Sequence, residues 1–216
     1  IVIAMIAGQF RSNLASLSGI VAAVNPTQIV VATLIYTDTI FLFFVSLSLL
    51  FGVLWLRSSS WRLAALLGVA YGAALLTRPF IESWFLFAPL IFLSLAYYRS
   101  KIVKTDSNLS KLTMQLLVTG VISATMISPI IMRNYEAYGS ATLHAQTGSH
   151  LLFWVVPLMQ QDADGTPRAI FKTTADKIYA ERFSSVPTDN PFIVSERNTQ
   201  IAVEYLKSLG PVAVTA

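Results

Sequence analysis

The 216 residues contain 55% apolar side chains, 12% charged ones and no cysteine, at a mean hydropathy of +0.63. Soluble domains average roughly 25% charged residues, so this composition excludes an ordinary water-soluble globule and predicts an all-α polytopic membrane protein. The missing cysteine excludes disulfides, thiolate metal sites and cysteine catalysis.

The net charge of +4 is unevenly spread: residues 1–133 carry nine Lys/Arg against Asp38, Glu82 and Asp106, whereas residues 134–216 carry six against eight acids. The basic surplus therefore belongs to membrane-flanking loops, which argues against a nucleic-acid partner. The division predicts a transmembrane helical region over 1–133 and a soluble segment over 134–216.

The chain opens at Ile1 in mid-run, without an initiator Met or a charged n-region, and reads as a fragment without a signal peptide. Residues 1–8 are expected to be the tail of a truncated helix, followed by a loop with Arg11. The apolar run 14–36 contains Asn25-Pro26, where proline removes a backbone donor and clashes with the preceding turn, so this helix is expected to be kinked or broken. Such a break is either a plain kink or, where helices line a cavity, part of a site.

Thr37 or Asp38 is placed to cap a helix over 39–56. Arg57 and Arg62 flank the Ser58-Ser59-Ser60 loop. The helix predicted over 63–77 is rich in alanine and carries Gly68-x-x-x-Gly72, a small-residue surface that admits a close neighbour. Arg78-Pro79 ends it, and a helix with Glu82, Trp84 and Pro89 runs on to Tyr97-Tyr98. Arg99, Lys101, Lys104 and Lys111 follow in a loop.

Residues 112–132 carry no charge and match the ~20 residues needed to cross a bilayer. That helix is expected to end near Pro129, with Arg133 at the membrane surface because arginine at the bilayer centre is costly. The architecture is thus about five to six membrane helices, one truncated and one kinked, then a mostly helical non-cytoplasmic segment. Alternate loops put Arg11, Arg57, Arg62, Arg99, Lys101, Lys104 and Lys111 on one side and Asp38, Arg78, Glu82 and Arg133 on the other. By the positive-inside rule the first side is cytoplasmic, and residues after Asn134 face the periplasm or lumen. The sequon at Asn108 falls on the cytoplasmic side and stays unmodified.

In the soluble segment a turn is expected at Asp162-Ala163-Asp164-Gly165, with helices over 173–183 and, opened by Ser195-Glu196, over 197–209, closed by Gly210-Pro211. Residues 151–159 are too short to span a bilayer and contain Pro157, which predicts an interfacial or packed segment.

No nucleotide-binding, metalloprotease, serine-hydrolase or calcium-loop motif is present, and His144 and His150 lack the neighbours of a metal site. The candidate residues are therefore positional. Arg78 and Arg133 are either interfacial anchors or clamps on an anionic lipid headgroup, which suits a planar guanidinium. Asp38 is either a helix cap or a carboxylate that orients a hydroxyl or assists as a base. Glu82 reads as the i,i+4 partner of Arg78. His144 and His150 are polar loop residues or part of a sugar pocket.

An acid at a helix start with its apolar run (38–50), a basic loop, Thr77-Arg78-Pro79, then Ser128-Pro129, Arg133-Asn134-Tyr135, Gly139 and Gly148-x-x-Leu151 follow in order. Over roughly residues 15–152 this pattern resembles the polyprenyl-phosphosugar-dependent GT-C glycosyltransferases, which include protein O-mannosyltransferases and lipid A aminoarabinose transferases. The resemblance implies multi-pass insertion in the plasma (inner) membrane and transfer of a sugar from a polyprenyl-phosphate carrier to an acceptor at the outer face. It matches Asp38 to an auxiliary active-site acid, Arg78 and Arg133 to the lipid-phosphate region, and Asn134 to support of that loop. The family's principal catalytic acid lies upstream of Ile1, so the fragment alone is expected to be inactive. The resemblance leaves a divalent metal undecided. A lipid or small-molecule transporter or flippase is the alternative reading, and a membrane assembly protein anchored by its arginines is a third.

Overall fold

The computed structural model of the chain describes residues 1–33, 37–78, 90, 91, 93, 94, 97, 98, 109–186 and 188–209. Glu82, the helix through Trp84 and Pro89, the basic residues Arg99, Lys101 and Lys104, the acid Asp106, the sequon at Asn108 and the stop at Gly210-Pro211 lie outside them. The described residues form helices and no strand.

In order these are α1 (Val2–Phe10), α2 (Ser12–Ala23), α3 (Pro26–Thr33), α4 (Thr37–Ser58), α5 (Trp61–Thr77), α6 (Leu109–Tyr138), α7 (Thr147–His150), a π-helical turn (Leu151–Val155), α8 (Val156–Asp164), α9 (Arg168–Phe183) and α10 (Pro191–Ser208). The chain divides into two compact units, Ile1–Ile130 and Ile131–Ala216, with the division inside α6.

In the first unit α4 and α5 are neighbours, α1 packs on α2 and α4, and α3 packs on α4. The Asn25-Pro26 break is real: α2 stops at Ala23, and Pro26 starts α3. Proline fits a first helical turn, where its missing N–H would be unpaired anyway. The break leaves pieces of 12 and 8 residues, each well short of a ~30 Å hydrocarbon core at 1.5 Å rise per residue. Among the described residues two helices are long and apolar enough to cross a membrane, Asp38–Ser58 and Ser110–Tyr138, whereas Ser12–Ala23 and Trp61–Thr77 are apolar but shorter.

The Gly68-x-x-x-Gly72 surface receives α6. A Cβ on Gly68 would stand 2.8 Å from the Thr119 carbonyl oxygen and 3.0 Å from Ile122 Cβ, and one on Gly72 would stand 2.9 Å from Met126 Sδ. At this distance side-chain polar groups on α6 reach the α5 backbone and the turn before it. Gln115 Nε2 donates to Ser59 O at 2.7 Å, Thr119 Oγ1 to Ala64 O at 2.9 Å and Ser123 Oγ to Gly68 O at 2.8 Å. These three residues recur every fourth position on one face of α6. Gln115 Oε1 also accepts from the buried Trp55 indole at 2.8 Å, beside the small core of Trp55, Ala64 and Leu112.

α6 corrects one expectation. It does not end near Pro129 or Arg133 but continues to Tyr138. Pro129 cannot donate to the Thr125 carbonyl four residues back, and Ser128 Oγ donates to that carbonyl instead, at 2.9 Å. The helix stops at Gly139, which adopts φ +69° while its N–H donates to Tyr135 O at 2.9 Å, the glycine cap with a left-handed backbone.

The second unit is built on a core of Leu152, Val156, Phe171, Ala175, Ile201 and Ala202, drawn from the π-turn, α8, α9 and α10. Residues 151–159 thus form a packed segment on one side. On the other they expose Trp154, at 66%, with Val155 and Leu158. The helix expected from 173 begins at Arg168, and the one expected to open at Ser195-Glu196 begins at Pro191. Its cap is Asn190, whose Oδ1 accepts from Phe192 N at 3.0 Å, with Pro191 at the first helical position. Ser195 is instead buried inside α10 and accepts from Gly148 N at 3.0 Å.

Candidate functional site

Because α4 and α5 are joined by a two-residue turn and lie side by side, the start of one meets the end of the other. Asp38 lies in the first turn of α4, since that helix begins at Thr37 and not at the expected Thr39. A carboxylate is favoured there by the positive end of the helix dipole. Arg78 closes α5, and its Nη2 lies 2.6 Å from Asp38 Oδ1. Both are partly open to the surroundings, Arg78 at 44% and Asp38 at 29%. Asp38 is therefore an ion-pair partner rather than the N-cap.

One residue along α4, Thr39 begins a wall of an apolar cavity of about 580 Å³, continued by Leu42, Phe43 and Ser46 and faced by Ile3, Ala22 and Ile29 from α1, α2 and α3. Neither Asp38 nor Arg78 lines this cavity; the link between them is that Thr39 follows Asp38 in the first turn of α4.

Arg133, Asn134, His144 and His150 belong to the second unit. Arg133 is exposed on α6. Asn134 is 2% exposed, and its Nδ2 donates to the carbonyls of Thr142 and Leu143 at 2.8 and 3.3 Å, which fixes the loop after α6. That loop carries His144, whose Nε2 lies 3.4 Å from Thr147 Oγ1. His144 lines a cleft of about 510 Å³, whereas His150 sits exposed at the end of α7 and does not line it.

The opposite wall of this cleft holds residues that the pattern reading overlooked, namely Phe192, Ser195, Glu196 and Thr199. Their spacing of three, four and seven places them on one face of α10, and that spacing was the available signal. Among the described residues no group of three or more His, Asp or Glu is placed to hold a metal ion.

No family model, curated protein or solved structure matches the chain.

Proposed function

We propose that this chain is part of a multi-pass membrane glycosyltransferase that moves a sugar from a polyprenyl-phosphate carrier to a protein, lipid or glycan acceptor at the outer face of the plasma membrane. In this reading the acceptor oxygen bonds to the anomeric carbon while the bond from that carbon to the phosphate oxygen breaks, and polyprenyl phosphate leaves. The observation that carries the reading is the partly exposed Asp38–Arg78 pair at the end of the α4–α5 hairpin where Thr39, the residue after Asp38, begins the wall of an apolar cavity; a guanidinium suits an anionic head and aliphatic walls suit a chain. Arg78 holds the phosphate, Asp38 is the auxiliary carboxylate, and the cavity takes the first part of the prenyl chain.

Arg133 is assigned to phosphate binding, Asn134 to support of the loop after α6, and His144 to contacts with the sugar or its acceptor, whereas His150, which does not line the cleft, takes no such role. Membrane residence is supported by the two helices of spanning length. The exposed Trp154, Val155 and Leu158 suit an interfacial layer, where tryptophan is favoured. In this reading α5 crosses the bilayer together with α4 and α6, and α2 and α3, each too short to span alone, together form one broken crossing.

The test is direct binding of a polyprenyl phosphate to the full-length protein in detergent. Arg78→Ala and Arg133→Ala are expected to weaken binding at least tenfold and Arg62→Ala to leave it unchanged. Equal losses in all three reduce the arginines to membrane anchors. Arg62 is the better control than Arg57, because Arg57 already binds Gln9 and stacks near Phe10.

The transporter reading draws on one observation, the broken helix at Asn25-Pro26. Facilitated movement of polyprenyl-phosphate sugar across vesicles without glycosyl transfer would favour it.

A further inference from the structure

The cleft in the second unit has walls held by three sets of hydrogen bonds, two of them buried or part-buried and one exposed. Asn134 fixes the carbonyls of Thr142 and Leu143, Gly148 N donates to Ser195 Oγ at 3.0 Å, and Asn190 Nδ2 donates to Tyr138 O at 3.1 Å. A Cβ on Gly148 would fall 1.8 Å from the Ser195 carbonyl oxygen, so the loop and α10 touch backbone to backbone. A cleft with walls held this way is formed before any ligand arrives, which removes the ordering cost from binding.

Its lining is selective in three ways. Tyr138 and Phe192 pair with ring centroids 5.4 Å apart and planes tilted by 45°, which gives an apolar aromatic ledge. Thr142, Thr147, Thr199 and His144 supply hydrogen-bonding groups around it. Glu196 supplies a carboxylate, and among the described residues no lysine or arginine lines the cleft. An anionic ligand meets repulsion without a compensating cation, and a wholly apolar ligand displaces water from the Glu196 carboxylate without supplying a donor in its place. A ligand with one apolar face and an edge rich in hydroxyl donors satisfies all three.

We propose that this cleft is a carbohydrate-binding site for a neutral glycan. One sugar ring lies with its C–H face on the Tyr138–Phe192 ledge while adjacent hydroxyls donate to the Glu196 carboxylate. Its identification as the acceptor site rests on the glycosyltransferase reading; binding itself does not.

The experiment uses the full chain in a zwitterionic detergent free of sugar headgroups. Calorimetry and saturation-transfer NMR are run with neutral glucose and N-acetylglucosamine oligomers, and with a uronic acid oligomer as the anionic comparison. Neutral oligomers are expected to bind, Glu196→Ala to weaken them about tenfold, and Glu181→Ala, an exposed acid on α9, to leave binding unchanged. Glu196 is exposed on a helix surface, so its substitution leaves the core intact. No binding across the neutral panel overturns the proposal. So does undiminished binding in Glu196→Ala, or tighter binding of the uronic acid oligomer. Polyprenyl-phosphate binding is measured on the same preparation. Glycan binding without lipid-phosphate binding upholds the cleft and removes the transferase reading, and the reverse result removes the cleft alone.

Discussion

Asp38 and Arg78 meet at 2.6 Å, yet both are partly exposed, and such pairs contribute at most about 1 kcal/mol to stability. Asp38→Asn is therefore expected to leave the unfolding midpoint nearly unchanged. Its informative effect is on ligand affinity. If Arg78 holds a phosphate, Asp38 competes for the same guanidinium, so Asp38→Asn retains or tightens polyprenyl-phosphate binding while Arg78→Ala weakens it. Loss of binding in both variants would mean that the pair only shapes the ends of the helices. Neither partner announces the other in the sequence, because forty residues separate them and Arg78 has an acid, Glu82, at helical spacing. The α4–α5 hairpin decides the pairing.

A second residue-scale case lies in the turn after α8. The Thr166 hydroxyl, then the Thr166 backbone N–H at 2.8 Å, and more weakly Gln160 at 3.3 Å donate to Asp164 and hold its carboxyl below the ordinary range. A depressed folded-state value means stability that is present above the unfolded value, about 3.9, and lost as pH falls through the folded one. By NMR titration Asp164 is expected to protonate below an ordinary aspartate, and Thr166→Val to move it upward. An Asp164 that titrates in the ordinary aspartate range would contradict this.

At the scale of elements, the contact between α5 and α6 is the one the sequence displays most openly, because two glycines four apart suit a close neighbour. What it hides is the polar half of that contact. Gln115, Thr119 and Ser123 look like scattered polar residues in an apolar run, although their regular spacing aims all three at carbonyls of α5 and its leading turn. Gly68→Ala forces a methyl against the Thr119 backbone and is expected to destabilise the first unit by about 1–3 kcal/mol. Gly120→Ala, which meets nothing within 4 Å, should be neutral or stabilising. Chemical or thermal unfolding in detergent separates the two. Equal effects would deny the close packing.

The ends of elements were less legible, for a local reason. Pro129 reads as a stop because the sequence shows the missing donor and conceals that Ser128 satisfies the freed carbonyl. Ser195-Glu196 reads as a helix start because that pair resembles a cap, whereas the true start, Asn190-Pro191, looks like a loop until Asn190 is seen bonding to Phe192.

For the whole molecule, composition announces the contrast between an apolar first part and a water-compatible second part, since charge density and helix type change near Arg133. The cleft of the second unit was not legible, because it joins residues near 140 to residues near 195 and only folding brings their side chains together. The membrane orientation is carried by loop charge alone, and single-cysteine labelling tests it directly, because the chain has no cysteine of its own. Ser59 is a poor site, because its backbone has φ +50° and its carbonyl accepts from Gln115. Ser58, exposed at the end of α4, and Asp176, exposed on α9, are suitable. With a membrane-impermeant maleimide on intact cells, the Asp176→Cys variant should label from outside, whereas the Ser58→Cys variant should label only after the membrane is opened. The reverse pattern would put Asp38 and Arg78 on the cytoplasmic face and remove the lipid-carrier reading. Labelling of both variants from outside would refute the odd number of bilayer crossings proposed between Ser58 and Asp176.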